Sequence, residues 1–155
     1  MEISRRIEAP PERLWQIITD TEMWPVWGPT LSEVSYEGRY IELGAKGAVK
    51  TSIGVWVPFE VTTFEPGRFW DWKVLGVKAT WHKVEPVWDD AGETIVASKV
   101  TFGLPTIAAP YALVCWAALR KIDEIVSQEQ RPEPLEDLAA DTAQPPSRPS
   151  THAPR

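Results

Sequence analysis

His82 and Tyr111 are the residues of this chain best suited to move a proton. A histidine titrates close to neutrality and can take a proton from a substrate, while a phenol can hydrogen-bond a developing enolate. Ser98, Thr80 and Arg5 are further polar candidates. Arg5 falls on the apolar face of its strand, although a strand-end arginine ordinarily extends its head to water. No carboxylate is placed to orient His82, and a lone histidine among apolar residues is more often a satisfied core group than a base. Cys115 lacks a basic neighbour to lower its pKa and reads as a small buried apolar residue. One cysteine allows no disulfide, and with His152 as the only other histidine no zinc set can be assembled. Neither a metal nor another cofactor is expected.

The elements that must position these groups follow from periodicity. Residues Glu2 to Glu8 alternate as a short strand. Pro10 and Pro11 then open a helix whose apolar stripe is Leu14, Trp15, Ile17 and Ile18. Asp20 caps a second short helical turn through Trp24, and Pro25, Gly28 and Pro29 end it. From Leu31 the period drops to two, and turn signals at Glu37-Gly38, Gly54, Pro66-Gly67, Gly76 and Asp89 to Gly92 separate about six strands. The apolar run from Thr106 to Gln128 carries Tyr111, Val114, Cys115, Ala118 and Ile122 at helical spacing, with Pro110 near its start. It predicts one long helix of roughly 33 Å. A strand, two short helices, a meander and a long helix make an α+β domain. Charges in the second half of that last helix exclude a membrane span.

Composition narrows the function. The chain has 16 basic against 22 acidic side chains and no basic cluster, which disfavours nucleic acid as a partner. No apolar leader follows Ile3, so a cytoplasmic location is expected. Residues 129–155 hold six of the fifteen prolines and no aromatic residue; they read as a disordered proline-rich tail, leaving 1–128 as the domain. Nine tryptophans are more than a core of this size needs, and large aromatics suit the wall of a cavity.

Several strings carry a resemblance: Ile7-Glu8-Ala9-Pro10-Pro11-Glu12-Arg13-Leu14-Trp15, Trp24-Pro25-Val26-Trp27-Gly28-Pro29, Phe64-Glu65-Pro66-Gly67-Arg68-Phe69, Trp70-Asp71-Trp72 and Gly92-Glu93-Thr94. Over residues 1 to 128 the chain resembles the polyketide cyclase/dehydrase-like branch of the START-related SRPBCC superfamily. The resemblance implies a helix-grip fold: a curved antiparallel sheet of about seven strands wrapped around the C-terminal helix, with two short helices after the first strand. It does not choose a function, because the superfamily includes lipid carriers, receptors, aromatase/cyclases and oxygenase subunits. The iron and cluster ligands of the last group have no counterpart here.

In such a fold strand parity decides what faces the interior. The inward set is Trp70 and Trp72 with Val74; Thr80 and His82 with Val84; Ser98, Val100 and Phe102. Val57, Phe59, Val61 and Thr63 join them, with Val49, Thr51 and Ile53 from the preceding strand. Tyr111, Val114, Cys115 and Ala118 come from the helix. These residues either line an apolar cavity or fill a core. Three functions stay open on them. The first is a carrier or sensor of a hydrophobic or aromatic small molecule such as a polyketide or lipid. The second is an aromatase/cyclase or dehydratase with His82 as base and Tyr111 as hydrogen-bond partner. The third is an interaction protein, dimeric or membrane-docking, that uses outward Trp56, Phe64, Phe69, Trp81 and Trp88. Stable membrane insertion is not expected.

Overall fold

The computed structural model describes residues 1–132. The chain begins with β1 (Glu2–Ile7), α1 (Pro11–Thr19) and α2 (Trp24–Trp27). A meander follows: β2 (Leu31–Ser35), β3 (Lys46–Thr51), β4 (Trp56–Glu65), β5 (Phe69–Val74), β6 (Val77–Trp88) and β7 (Ile95–Gly103). A 3₁₀ segment, Thr106–Tyr111, leads into α3 (Ala112–Glu129). The seven strands form one antiparallel sheet in the order β1-β7-β6-β5-β4-β3-β2, so only the first strand leaves sequence order. This is the expected α+β helix-grip architecture.

Each helix is held by its apolar face. Leu14, Ile17 and Ile18 of α1 are fully buried, and Trp15 lies half-covered against Phe64. From α3 the sheet receives Cys115, Ala118, Leu119, Ile122 and Val126. The long helix starts later than its apolar run suggests. Pro110 has no N–H to give a helical ladder and disfavours helical backbone in the residue before it. The chain accordingly winds as 3₁₀ through Tyr111, with a break at Ala108, and becomes α-helical only from Ala112. At its far end α3 runs past the boundary expected at residue 128. Glu129 pairs with Arg13 of α1, and the Gln130 side-chain amide donates to the Glu8 carbonyl at 2.8 Å. The proline-rich stretch beyond residue 132 lies outside the described residues.

The sheet register slips at four places, between Leu31 and Glu33, Val61 and Thr63, Asp71 and Lys73, and Val87 and Trp88, and the middle two reset the parity of the lining. On β4 the register to β5 slips between Val61 and Thr63. Thr62 turns its hydroxyl to Asp71 at 2.6 Å, Thr63 stands opposite Asp71, and Phe64 comes round opposite Trp70. Thr63 is therefore not part of the lining, and Phe64 packs inward on Trp15 instead of outward. On β6 the slip falls between Trp81 and Lys78, so Val77 faces Val74 on the inner side.

The outer aromatics do not form a single patch. Trp81 lies flat over Gly103 of β7 and packs on Phe69 with ring centroids 5.7 Å apart. Trp56 begins β4 and Trp88 ends β6, at opposite ends of the sheet. A Cβ at Gly103 overlaps the Trp81 indole. Gly103→Ala is therefore expected to destabilise the domain by about 2 kcal/mol through forced overpacking, read as a lowered urea midpoint at unchanged slope. An unchanged midpoint would mean that Trp81 does not rest there.

Candidate functional site

The interior between sheet and helix is filled by rings. Trp24 of α2 stacks on Trp70 of β5 with centroids 5.5 Å apart and planes within 5°. Trp70 stacks in turn on His82 of β6 at 3.9 Å. Phe102 of β7 meets the imidazole edge-on at 4.6 Å, and Trp27 packs against both. With Trp24 also tilted against Phe59 of β4, the short helix α2 is clamped to four strands through aromatic rings, which explains how a four-residue helix stays formed. Its indoles also satisfy α1: Trp24 Nε1 donates to the Ile18 carbonyl at 3.0 Å and Trp27 Nε1 to that of Ile17 at 3.2 Å.

His82 is buried in this column. Trp72 Nε1 donates to Thr80 Oγ1 at 3.0 Å, and Thr80 Oγ1 lies 3.2 Å from His82 Nε2. With its lone pair engaged by the indole, the threonine hydroxyl is free to donate its proton to Nε2, so the chain runs Trp72 to Thr80 to His82. The Trp70 backbone favours the charged ring slightly, yet Nδ1 has no partner in hydrogen-bond geometry. Desolvation dominates and pushes the imidazole down to about 3. Among the described residues Trp70 Nε1 is the other buried side-chain nitrogen without a partner.

The empty space lies elsewhere. Beneath the column a recess of about 50 Å³ is bounded by Trp70, His82, Phe102 and, from the helix, Val114, Cys115 and Ala118. It has room for little more than water. A much larger cavity, about 570 Å³, opens at the end of the sheet where the β3–β4 and β5–β6 hairpins turn. Its walls are Val49, Thr51 and Val57 on one side, Val74, Val77 and Ala79 on another, and Leu104 and Ala108 near the 3₁₀ segment. Thr30, Leu31, Trp72, Thr80 and Tyr111 border both spaces and form the partition between them.

Most expected lining residues therefore divide between recess and mouth, and six do neither. Thr63 is turned away by the β4 bulge. Phe59, Val61, Val84 and Val100 are solid core. The Ser98 hydroxyl is buried and donates to the Ala9 carbonyl at 2.7 Å, which anchors the β1–α1 connection. Ile53, expected in the wall, stands 84% exposed at the rim. Arg5 reaches Asp123 of α3 at 2.7 Å and ties the first strand to the helix rather than entering the site. Tyr111 exchanges a hydrogen bond with Thr30 at 2.7 Å, closing the seam between α2 and the 3₁₀ segment. Burial raises its phenol above the ordinary range, so it is a neutral donor at neutral pH. The Cys115 thiol is pushed up to about 11 by burial and stays protonated. Among the described residues no three of His, Cys, Asp or Glu stand together as a metal set.

Parity reasoning missed Trp24 and Trp27, which occupy the space assigned to a ligand, and Val77 and Ala79, which line the mouth. The spacing of the two indoles, three apart on a helix too short to stand alone, was the available signal for the first pair.

An antiparallel sheet gripping a C-terminal helix, with an apolar opening between hairpin tips and helix, defines a helix-grip domain. Residues 1–126 match the family described as polyketide cyclase/dehydrase and lipid transport, and the chain belongs to that family. A search of curated proteins gives no match. Among solved structures, protein MLL2253 from Mesorhizobium loti superposes with a TM-score of 0.62 at 15% identity, over 84% of this chain and 98% of that one. DynU16, a protein of the dynemicin biosynthetic locus, gives 0.57 at 18% identity, over 82% of this chain and 46% of its own. An uncharacterised Bacillus thuringiensis protein gives 0.56 at 13% identity, over 81% and 96%. These likenesses concern the fold.

Proposed function

We propose that the domain binds a hydrophobic or aromatic small molecule in the mouth cavity, as a carrier or sensor. The observation that carries this reading is the cavity itself: about 570 Å³ of space walled by Val49, Val57, Val74, Val77 and Leu104. That is the size and polarity of sites that hold a metabolite-sized ligand. Thr80 and the hydrogen-bonded pair Thr30 and Tyr111 at its base are polar groups able to orient one end of the molecule. Family membership, with its cyclase, dehydrase and lipid-transport activities, supports a ligand of polyketide or lipid character. Proton transfer by His82 finds less support. An imidazole whose conjugate acid titrates at about 3 is a weak base at neutral pH, far from the matched pKa that general catalysis favours.

N-phenyl-1-naphthylamine, a neutral aromatic probe, is expected to bind saturably and to quench tryptophan fluorescence, since Trp72 forms part of the wall. Val57→Trp fills the middle of the cavity and should weaken the probe at least ten-fold, about 1.4 kcal/mol. The larger side chain projects into open space, so stability should change by no more than about 1 kcal/mol. Absence of saturable binding, or full affinity in Val57→Trp, would remove the mouth as the binding site.

A further inference from the structure

The rim of the cavity carries features that holding a ligand inside does not require. Two hairpin tips form its outer lip: residues 52–55 between β3 and β4, and Leu75-Gly76 between β5 and β6. Because β4 and β5 are antiparallel neighbours, both tips project from one end of the sheet. Their apolar side chains are uncovered: Ile53 is 84% exposed, Val55 50%, Leu75 63% and Val77 69%. Ile53 and Val77 also line the cavity, so apolar surface runs without a break from the lip inward.

Leu75 is held there against its backbone preference. The turn has φ 53° at Leu75 and 74° at Gly76, positive at both central positions, as in the type I′ turn that asparagine-glycine normally supplies. A leucine in that conformation is strained, and its exposure gives back no buried contact. Behind the tip Lys73 and Lys78 face one another across the hairpin, a like-charge pairing that weakens a sheet. Among the described residues the ion-paired lysines are Lys46, Lys50, Lys83 and Lys121, not these two. At the foot of the other tip Trp56 is 45% exposed, with Lys50 Nζ 5.8 Å from its ring. In water the bare tips, the strained turn and the facing lysines are unfavourable or idle, whereas Lys50 is already paired with Glu33. At a lipid interface each is satisfied: apolar tips enter the acyl boundary, tryptophan sits at headgroup level, and ammonium groups meet anionic headgroups.

We infer that the two tips dock the domain, mouth first, on an anionic lipid surface, where the cavity exchanges its ligand. The contact is peripheral, because no helix among the described residues is long and apolar enough to cross a membrane. The purpose of docking rests on the cavity reading above; docking itself does not, and the two are measured separately.

The full chain is sedimented with vesicles of phosphatidylcholine alone and of equimolar phosphatidylcholine and phosphatidylglycerol. Binding is expected on the anionic vesicles only. Partitioning should fall about five-fold for each of Lys73→Gln and Lys78→Gln, and at least ten-fold for Leu75→Asn. Asparagine suits the left-handed turn, so Leu75→Asn should raise the thermal midpoint by about 3 °C and leave the affinity for N-phenyl-1-naphthylamine unchanged. That separates lost docking from lost folding. No binding to anionic vesicles, or binding that Leu75→Asn leaves intact, overturns the proposal. So does a concentration-dependent dimer that Leu75→Asn dissolves, which would make the lips a contact between copies of this chain. Vesicle binding without probe binding sinks the cavity reading and leaves docking standing.

Discussion

Trp24→Ala is expected to destabilise the domain by about 4 kcal/mol, a large share of what holds a domain of this size together. The ring is 1% exposed and stacks on Trp70, tilts against Phe59 and meets Trp72 edge-on. Truncation forfeits those contacts and leaves a void that a column of rigid indoles cannot collapse to fill. It also strips the Ile18 carbonyl of its hydrogen bond, at the end of α1 where backbone acceptors already lack helical partners. Urea unfolding measures the loss, and a value under 2 kcal/mol would mean that α2 is not clamped through this ring. A second readout follows from the recess beside the column. Removing the indole joins its space to that recess, and an apolar void of such size takes up aromatic solutes. Added indole should therefore restore part of the midpoint in Trp24→Ala and leave the parent protein unmoved.

The same ring marks where sequence and structure part company. Apolar alternation correctly turned Trp70, Trp72, His82, Val84, Val100 and Phe102 inward, because a one-residue error in a half-buried strand exposes its whole apolar face. What alternation does not reveal is whether an inward position meets a ligand or another side chain. The surplus of tryptophan read as a cavity wall, yet Trp24 and Trp27 reach in from α2 and fill that volume. The empty space moved to the hairpin end, where the wall is built of small β-branched residues.

The bulges were hidden for a related reason. Thr62-Thr63 on β4 and Ala79-Thr80 on β6 are small or polar on both sides of the slip, so an extra residue leaves no mark on the apolar pattern. The consequences are local but functional: Phe64 turns in to hold α1, and Val77 turns in to line the mouth. The late start of α3 had a legible cause in Pro110, which limits helical winding before Ala112. That delay opens the cavity on its helix side, since Ala108 and Tyr111 line it from a segment that a continuous helix would have carried elsewhere.

Acid should weaken this fold well before its carboxylates titrate, and His82 is the reason. Burial lowers its imidazole from 6.5 to about 3 in the folded chain. Between those values the unfolded chain holds a proton that the folded chain excludes, so the unfolded state binds more protons and stability rises with pH. Read downward, stability is complete above pH 6.5 and falls by about 1.4 kcal/mol per unit once the unfolded imidazole is charged. The loss ends near pH 3, where the folded ring also takes its proton, and totals on the order of 5 kcal/mol. Unfolding free energies from urea titrations at pH 7 and pH 5 should differ by about 2 kcal/mol. The Glu129 carboxyl, held below its ordinary range by its bond to Arg13, adds a loss of the same sign only as the pH falls through the carboxylate range, so it does not bear on the comparison between pH 7 and pH 5. His82→Phe keeps a flat ring between Trp70 and Phe102 and removes the titration, so its midpoints at pH 7 and 5 should coincide, whatever the substitution does to absolute stability. A variant that keeps the slope of the parent would show that the imidazole is hydrated or charged in the folded protein. In that case the weak-base argument against proton transfer fails with it, and His82 regains its place as a candidate base. A flat profile would confine it to the ring column, where a neutral imidazole accepts the Thr80 proton and offers Trp70 an aromatic face.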